Sequence, residues 1–190
     1  MTKNVMIVGV GGQGTLLTSR IIGKTAMEMG YDVKISEVHG MAQRGGSVVT
    51  FVRFGEKVNE PVVEEGQADV IIAFERLEAL RYAHFLKKNG VLVVNDCRID
   101  PMTVVIGAKE YPENIIEGLC AKHNVYAIDG QKIALELGNS KVLTSVVLGH
   151  AAGFIGFERD VWLDVVASTV PQKTVEINKK AFIRGYEANK

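Results

Sequence analysis

The sequence predicts an α/β fold: an open, mostly parallel sheet with helices on both faces, Rossmann-like, carrying a β-hairpin insertion. Three observations predict it. Short apolar runs alternate with segments in which apolar residues recur at helical spacing, as in βα units. A glycine cluster follows the first apolar run directly, where a strand would pass into a helix. A further apolar pair of segments follows without a helix between them, which predicts the hairpin.

The amino-terminal third contains the predicted βαβ unit and the hairpin. Strands are predicted at residues 5–10, 32–38, 47–54 and 58–63. A helix over residues 15–30 joins the first two strands, and Gly30 is a natural stop for it. A turn at residues 55–57 joins the last two, and Pro61 restricts the fourth strand to a sheet edge.

The βα alternation resumes at residue 68. Further strands are predicted at residues 68–74, 91–95 and 125–128. Helices are predicted at residues 75–88, 112–122, 130–137, 142–157, 160–166 and 173–186. The chain contains no internal repeat, low-complexity segment or linker, so residues 1–190 are predicted to form a single domain.

The composition restricts the classes of function. Lys plus Arg and Asp plus Glu number 22 each, so no overall field attracts nucleic acid or an anionic membrane. No apolar segment reaches the roughly 18–20 residues of a membrane span. The amino terminus lacks the apolar stretch and cleavage site of a signal peptide. We therefore expect a cytoplasmic protein that binds neither nucleic acid nor a membrane.

The two cysteines, Cys97 and Cys120, lie far apart and outside any CxxC spacing. This spacing argues against a zinc or iron–sulfur site, and no metal site is expected in this chain. Lone cysteines of this kind are most often small buried hydrophobic residues.

The segment GVGGQG has the G-x-G-x-x-G spacing at the first strand–helix junction. Its candidate binding residues are Gly9, Gly11, Gly12, Gln13 and Gly14. The start of a helix offers unpaired N–H groups, which suit a phosphate-bearing ligand or cofactor tail. A P-loop is excluded, because Thr15 stands where the essential Lys is required. Two alternatives remain: the glycines only let the helix pack tightly on the sheet, or they bind NAD or FAD, with Glu37 as the ribose-binding acid.

A second polar loop, EVHGMAQRGG, follows the second predicted strand. Its candidate site residues are Glu37, His39, Gly40, Met41, Gln43, Arg44, Gly45 and Gly46. Arg44 can hold a carboxylate or phosphate by two parallel hydrogen bonds, and Glu37 and His39 can orient it or transfer protons. The simpler alternatives are a turn histidine, a gap-filling methionine and a solvated arginine. Because both polar loops follow parallel strands, we expect them to form one face at the carboxyl edge of the sheet.

Taken together, GVGGQG and SEVHGMAQRGGSV resemble the gamma-type domain of 2-oxoacid:ferredoxin oxidoreductases. The resemblance covers nearly the whole chain and continues through residues 47–63, ADVIIAFE (68–75), TSVVLGH (144–150), and Glu176, Asn178, Ala181, Phe182 and Gly185 of the last helix. The octet HGMAQRGG, residues 39–46, is its most specific part. The first three residues of the octet favour the arylpyruvate branch, and the most similar variant is the beta subunit of indolepyruvate ferredoxin oxidoreductase.

The resemblance implies a division of labour between subunits. Enzymes of this family decarboxylate a 2-oxo acid on thiamine diphosphate, pass electrons through [4Fe-4S] clusters to ferredoxin, and form an acyl-CoA. This chain lacks both the G-D-G…N thiamine-diphosphate motif and the ferredoxin cysteine pattern. The resemblance therefore implies that thiamine diphosphate, Mg and the clusters belong to a larger alpha subunit. This chain would complete the alpha subunit's active site or the CoA path, with no catalytic residue acting alone.

Several alternatives to this assignment remain open. The chain could be the gamma subunit of a pyruvate or ketoisovalerate oxidoreductase, an NAD(P)-binding enzyme or regulator, or a structural module without chemistry. A homodimer is one form in which the isolated subunit could exist.

Overall fold

The computed structural model describes residues 2–40 and 45–188. Its sheet has six strands in the order β2-β3-β1-β4-β5-β6. The strands are β1 (Lys3–Val10), β2 (Asp32–His39), β3 (Ser47–Gly55), β4 (Ala68–Ala73), β5 (Leu86–Asn95) and β6 (Asn124–Ile128). β1, β4, β5 and β6 pair in parallel, whereas β3 pairs antiparallel with both β1 and β2. All strands except β3 therefore run in one direction, which confirms the predicted open, mostly parallel sheet.

Helices cover both faces of this sheet, as predicted. They are α1 (Thr15–Glu28), α2 (Arg76–Tyr82), α3 (Met102–Val105), α4 (Ile115–Cys120), α5 (Gly130–Glu136), α6 (Leu143–Ile155), α7 (Arg159–Thr169) and α8 (Val175–Glu187). Val5 and Ile7 of β1 contribute to a core shared with α1, α6, α7 and α8. Met6 and Val8 contribute to a second core shared with α2 and α4. Successive strand residues point to opposite faces, so a continuous apolar run such as β1 supplies both cores.

No helix in the described part of the chain is long and apolar enough to cross a membrane.

The β-hairpin lies at a different place from the predicted one. β2 and β3 form it, and β3 separates β2 from β1, so the two strands of the predicted βαβ unit are not neighbours. The predicted strand at residues 58–63 was wrong, because β3 already has a partner on each side. Side chains hold this segment instead. The Val58 N–H donates to the Asp32 carboxylate (2.8 Å), and the Arg53 guanidinium donates to the Val62 carbonyl oxygen (2.9 Å).

The helix predicted over residues 75–88 is too long. α2 ends at Tyr82, and β5 already begins at Leu86 after one 3-10 turn. The register between β4 and β5 then shifts before Val91, as at a β-bulge. A Cβ at Gly90 would lie 2.8 Å from the Ala68 carbonyl oxygen. Gly90 therefore permits a close approach of β5 to β4.

Smaller differences affect the helices after β5. α4 covers only the middle of the predicted segment 112–122, and the short helix α3 lies where no helix was predicted. The helices predicted at residues 130–137, 142–157, 160–166 and 173–186 correspond to α5, α6, α7 and α8, with shifted ends.

α6 and α8 approach each other closely at two glycines. A Cβ at Gly149 or at Gly185 would lie 2.0 Å from a carbonyl oxygen of the opposite helix, so no other residue fits without displacing a helix. Between the same helices, the Ser145 hydroxyl donates to the Asn178 carboxamide oxygen (2.7 Å). The segments TSVVLGH and the last helix, which carry part of the family resemblance, are therefore packing elements.

We expect Gly185→Ala to lower the free energy of unfolding by at least about 1–3 kcal/mol, because the added methyl group overlaps the Val146 carbonyl oxygen. Gly118→Ala in α4 is the matched control, since no heavy atom lies within 4 Å of the Cβ position there. That change should raise stability by about 0.4–1 kcal/mol, because alanine restricts the unfolded chain. Urea unfolding measures both effects, and equal stability of the two variants would contradict the close helix contact.

Candidate functional site

The two polar loops lie together at the carboxyl edge of the sheet. A cleft of about 450 Å³ separates them, lined by Gly11, Gly12, Gly14, Thr15, Leu16, Glu37, His39 and Val48. The backbone N–H of Gly11 donates to the carbonyl oxygen of Gly46 (2.9 Å), so the loops are joined directly. Three of the predicted site residues, Met41, Gln43 and Arg44, lie outside the described residues.

The glycines of the first loop have different physical roles. Gly14 has a φ of +93°, and a Cβ there would lie 2.3 Å from the Thr144 hydroxyl oxygen of α6. At Gly9, a Cβ would lie 3.0 Å from the Cβ of Phe74. Packing and backbone conformation therefore require glycine at residue 14, whereas a side chain at residue 9 would force Phe74 or Gln13 to shift. Gly12 has a φ of +99°, but no heavy atom lies within 4 Å of its Cβ position, so its backbone faces the cleft openly.

Gln13 bridges the ends of β1 and β4. Its carboxamide oxygen accepts from the Val10 N–H (2.7 Å), and its amide nitrogen donates to the Phe74 carbonyl oxygen (2.9 Å). α1 leaves β1 towards one face of the sheet and α2 leaves β4 towards the other. A crevice at such a point is where open α/β sheets bind ligands. In this protein, the Gln13 side chain lines a cavity of about 410 Å³ at that position, together with Asn95 and Thr144.

Glu37 and His39 lie exposed on the edge strand β2. The Glu37 carboxylate accepts a hydrogen bond from the Thr50 hydroxyl (3.0 Å), and Nδ1 of His39 lies 2.9 Å from the Gly40 carbonyl oxygen. Because β3 intervenes, Glu37 lies two strand spacings, about 10 Å, from β1. In a dinucleotide-binding sheet, the ribose-binding acid lies on the strand next to β1. The cleft therefore does not reproduce that arrangement.

Two buried carboxylates were missed by the sequence analysis. Glu75 is 1% exposed and Glu78 is 4% exposed, both at the start of α2. Glu75 accepts hydrogen bonds from the Glu78 N–H (3.0 Å), the Ile99 N–H (3.1 Å) and the Tyr111 hydroxyl. It thereby joins the segments that follow β4 and β5. The signal that could have found it is an acidic residue directly after a buried parallel strand, at the edge where both polar loops were expected.

Glu75 also affects the neighbouring ionisable groups. Burial, and secondly the Glu75 carboxylate, raise the pKa of Cys97 to about 11. Burial raises the pKa of Tyr111, and the hydrogen bond to Glu75 raises it further. Both groups are therefore neutral at physiological pH.

The cysteines are less buried than expected. Cys97 is half-buried and its thiol donates to the Phe74 carbonyl oxygen (3.1 Å), whereas Cys120 is exposed, so the expectation of burial was wrong for Cys120. Within residues 2–40 and 45–188, no three His, Cys, Asp or Glu side chains lie together so as to hold a metal ion. These residues do not fit a metal ion or an iron–sulfur cluster.

We expect the isolated chain to bind NAD(H) with a dissociation constant weaker than about 1 mM. The Gly11 N–H already donates to Gly46, the Gln13 carboxamide is already paired with Val10 and Phe74, and Glu37 is displaced from the ribose position. Isothermal titration calorimetry measures this. Stoichiometric micromolar binding that is lost in Glu37→Gln would show instead that the cleft is a dinucleotide site.

We expect Glu75→Gln to destabilise the fold by about 1–3 kcal/mol, because both carboxylate oxygens accept hydrogen bonds and the new NH₂ group would face a donor. Glu117→Gln on the exposed side of α4 is the matched control and should change stability by less than about 0.5 kcal/mol. Thermal and urea unfolding compare the two variants. An unfolding midpoint of Glu75→Gln equal to that of the wild type would contradict the role of the Glu75 carboxylate as a hydrogen-bond acceptor at both oxygens.

Comparison with known proteins identifies the family. The family model described as pyruvate ferredoxin/flavodoxin oxidoreductase matches residues 4–188. Indolepyruvate oxidoreductase subunit IorB of Thermococcus kodakarensis is 41% identical, over 98% of this chain and 96% of the relative. Pyruvate synthase subunit PorC of Methanothermobacter thermautotrophicus is 28% identical, over 94% and 91%.

A solved structure agrees with both relatives. The gamma subunit of a keto/oxoacid ferredoxin oxidoreductase from Geobacter sulfurreducens superposes with a TM-score of 0.71 at 25% identity, over 98% of this chain and 97% of that chain. The family inferred from the two polar loops is thereby confirmed: this chain belongs to the pyruvate ferredoxin/flavodoxin oxidoreductase family.

Proposed function

We propose that this chain is the subunit of an indolepyruvate:ferredoxin oxidoreductase that completes an active site on a larger alpha subunit. In the overall reaction, a 2-oxo acid and CoA give an acyl-CoA, CO₂ and a proton, and two electrons pass to ferredoxin. The observation that carries the proposal is the cleft in which both family motifs meet at the carboxyl edge of the sheet.

The openness of this cleft supports a role in completing another subunit's site. Glu37 and His39 are exposed, and the backbone at Gly12 faces open space. Among the described residues, Glu37 is hydrogen-bonded to Thr50 and His39 to the Gly40 carbonyl oxygen. Neither is paired with the Thr15 hydroxyl that also lines the cleft, so we assign no independent catalytic step to them. Such a wall of backbone amides and two polar side chains acts on a substrate only when a second subunit closes it.

The proposal assigns thiamine diphosphate, Mg and the [4Fe-4S] clusters to the alpha subunit, since the described residues do not fit a metal ion or a cluster. The name of the Thermococcus relative, which calls it a subunit, supports a complex. Ferredoxin would then receive electrons from the alpha subunit and reach this chain only through the complex.

Within the cleft, we assign roles to the residues that the sequence singled out. The glycine loop supplies backbone N–H groups, and Glu37 and His39 supply hydrogen-bonding side chains. On the sequence alone, Arg44 is proposed to hold the substrate carboxylate or a CoA phosphate, next to Gln43. Met41 and the glycines Gly40, Gly45 and Gly46 belong to the same loop.

The assignment to an aromatic 2-oxo acid rests on the octet and on the relatives. Identity is 41% to the indolepyruvate oxidoreductase subunit, against 28% to the pyruvate synthase subunit, at similar coverage. The octet begins with His39-Gly40-Met41, the residues on which the arylpyruvate branch was favoured.

Co-expression with the large thiamine-diphosphate subunit of the same organism tests the proposal. Anaerobic size exclusion should give one brown complex that reduces ferredoxin, or methyl viologen in its place, in a CoA-dependent reaction. Indolepyruvate should exceed pyruvate in kcat/KM by at least about 100-fold, because a pocket for an indole ring recovers little binding energy from a methyl group.

The chain purified alone is the control, and it should be colourless and without NAD-linked turnover. Separate elution of the two proteins would overturn the complex. A preference for pyruvate or ketoisovalerate would assign the chain to another branch of the same family.

A further inference from the structure

The first residue of β3 is tied to α2 by a chain of hydrogen bonds. The Ser47 hydroxyl donates to the Glu78 carboxylate, and its oxygen lies 3.2 Å from the Tyr82 hydroxyl oxygen. A serine hydroxyl carries one proton, so Tyr82 must be the donor in the second contact. The chain therefore runs in one direction, from Tyr82 through Ser47 to Glu78.

Burial makes the acceptor at the end of this chain unusual. Glu78 is 4% exposed, and among residues 2–40 and 45–188 its ion-pair partner is Arg81, at 3.5 Å. Burial raises the pKa of Glu78, while the Ser47 hydrogen bond and Arg81 act in the opposite direction and the Glu75 carboxylate adds to the increase. A hydrogen bond to an acceptor shielded from water is stronger than the same bond to an exposed acceptor.

The backbone of residues 45–47 also supports one wall of the cleft. Gly45 has a φ of +78°, and the Gly46 carbonyl oxygen accepts from the Gly11 N–H. Ser47 itself is paired with Val10, the last residue of β1. Residues 45–47 are therefore held at two points, by the glycine loop on one side and by Glu78 on the other.

We propose that Glu78 is a positioning residue for the oxidoreductase reaction: through Ser47 it fixes the backbone of residues 45–47, and with it the glycine loop that forms one wall of the cleft. The inference rests on the proposed function. Two successive glycines leave this backbone with more conformational freedom than any other pair of residues would. Glu78 restricts that freedom from outside the cleft, without lining it.

The reconstituted complex tests this role with Ser47→Ala and Glu78→Ala. A misplacement of about 1 Å in a site can cost about 100-fold in rate, so we expect kcat to fall about 10- to 100-fold in each variant with little change in KM. The double variant should be no slower than the slower single variant, because both changes break one chain. Ser47→Thr keeps the hydroxyl and should restore most of the activity.

Ser145→Ala is the matched control. It removes a buried serine hydrogen bond of 2.7 Å between α6 and α8, and neither partner lines the cleft, so it should lower the melting temperature without changing kcat. The proposal is overturned if Ser47→Ala keeps the wild-type kcat in an intact complex. It is equally overturned if Ser145→Ala loses as much activity as Ser47→Ala, because the loss of activity would then be explained by the loss of stability alone.

A second measurement separates this inference from the proposed function. If the wild-type complex oxidises no 2-oxo acid, the proposed function fails. The Ser47–Glu78 hydrogen bond is then tested on the isolated full-length chain by hydrogen exchange. Backbone amides at the start of β3 should exchange about 10-fold faster in Glu78→Ala than in the wild type, and Ser145→Ala should leave them unchanged. Wild-type exchange rates in Glu78→Ala would show that Glu78 does not hold this backbone.

Discussion

The pairing of β3 between β1 and β2 determines the position of every other part of the cleft. Because β3 runs antiparallel, it begins at the edge where β1 ends, and this brings Gly46 within hydrogen-bonding distance of Gly11. The same insertion moves Glu37 one strand further from the glycine loop. One strand therefore joins the two family motifs and widens the space between them. A nucleotide-binding sheet without this strand would have neither property.

The sequence predicted the sheet well because buried parallel strands are short apolar runs, and five strands were placed within a few residues. The sequence-based prediction failed where the local hydrophobic pattern does not specify which strand pairs with which. Residues 58–63 have the pattern of a strand, but strand pairing depends on which edges are free, and β3 has none. Residues 83–88 continue the apolar spacing of a helix, yet residues 83–85 form a 3-10 turn and β5 begins at Leu86, which pairs with Ala68 of β4.

The candidate site was predictable in its location and less so in its chemistry. The carboxyl-edge rule placed Gly11, Glu37 and His39 in one cleft. It did not reveal that Gly9 and Gly14 pack against Phe74 and Thr144, because a local sequence motif carries no information about its tertiary contacts. Glu75 and Glu78 were missed for a related reason. A charged residue in a sequence indicates exposure, and only the tertiary structure shows the donors that allow it to be buried.

The side chain of Gln13 has a consequence for the thermodynamics of assembly. Its oxygen accepts from the Val10 N–H and its amide nitrogen donates to the Phe74 carbonyl oxygen, so these two backbone groups at the ends of β1 and β4 need no water or ligand as a partner. A subunit built in this way has little conformational entropy to lose at this point when another protein covers it, because the position is already ordered. Its association should then resemble rigid docking, with an affinity determined by the surfaces that meet and hardly at all by rearrangement within the crevice.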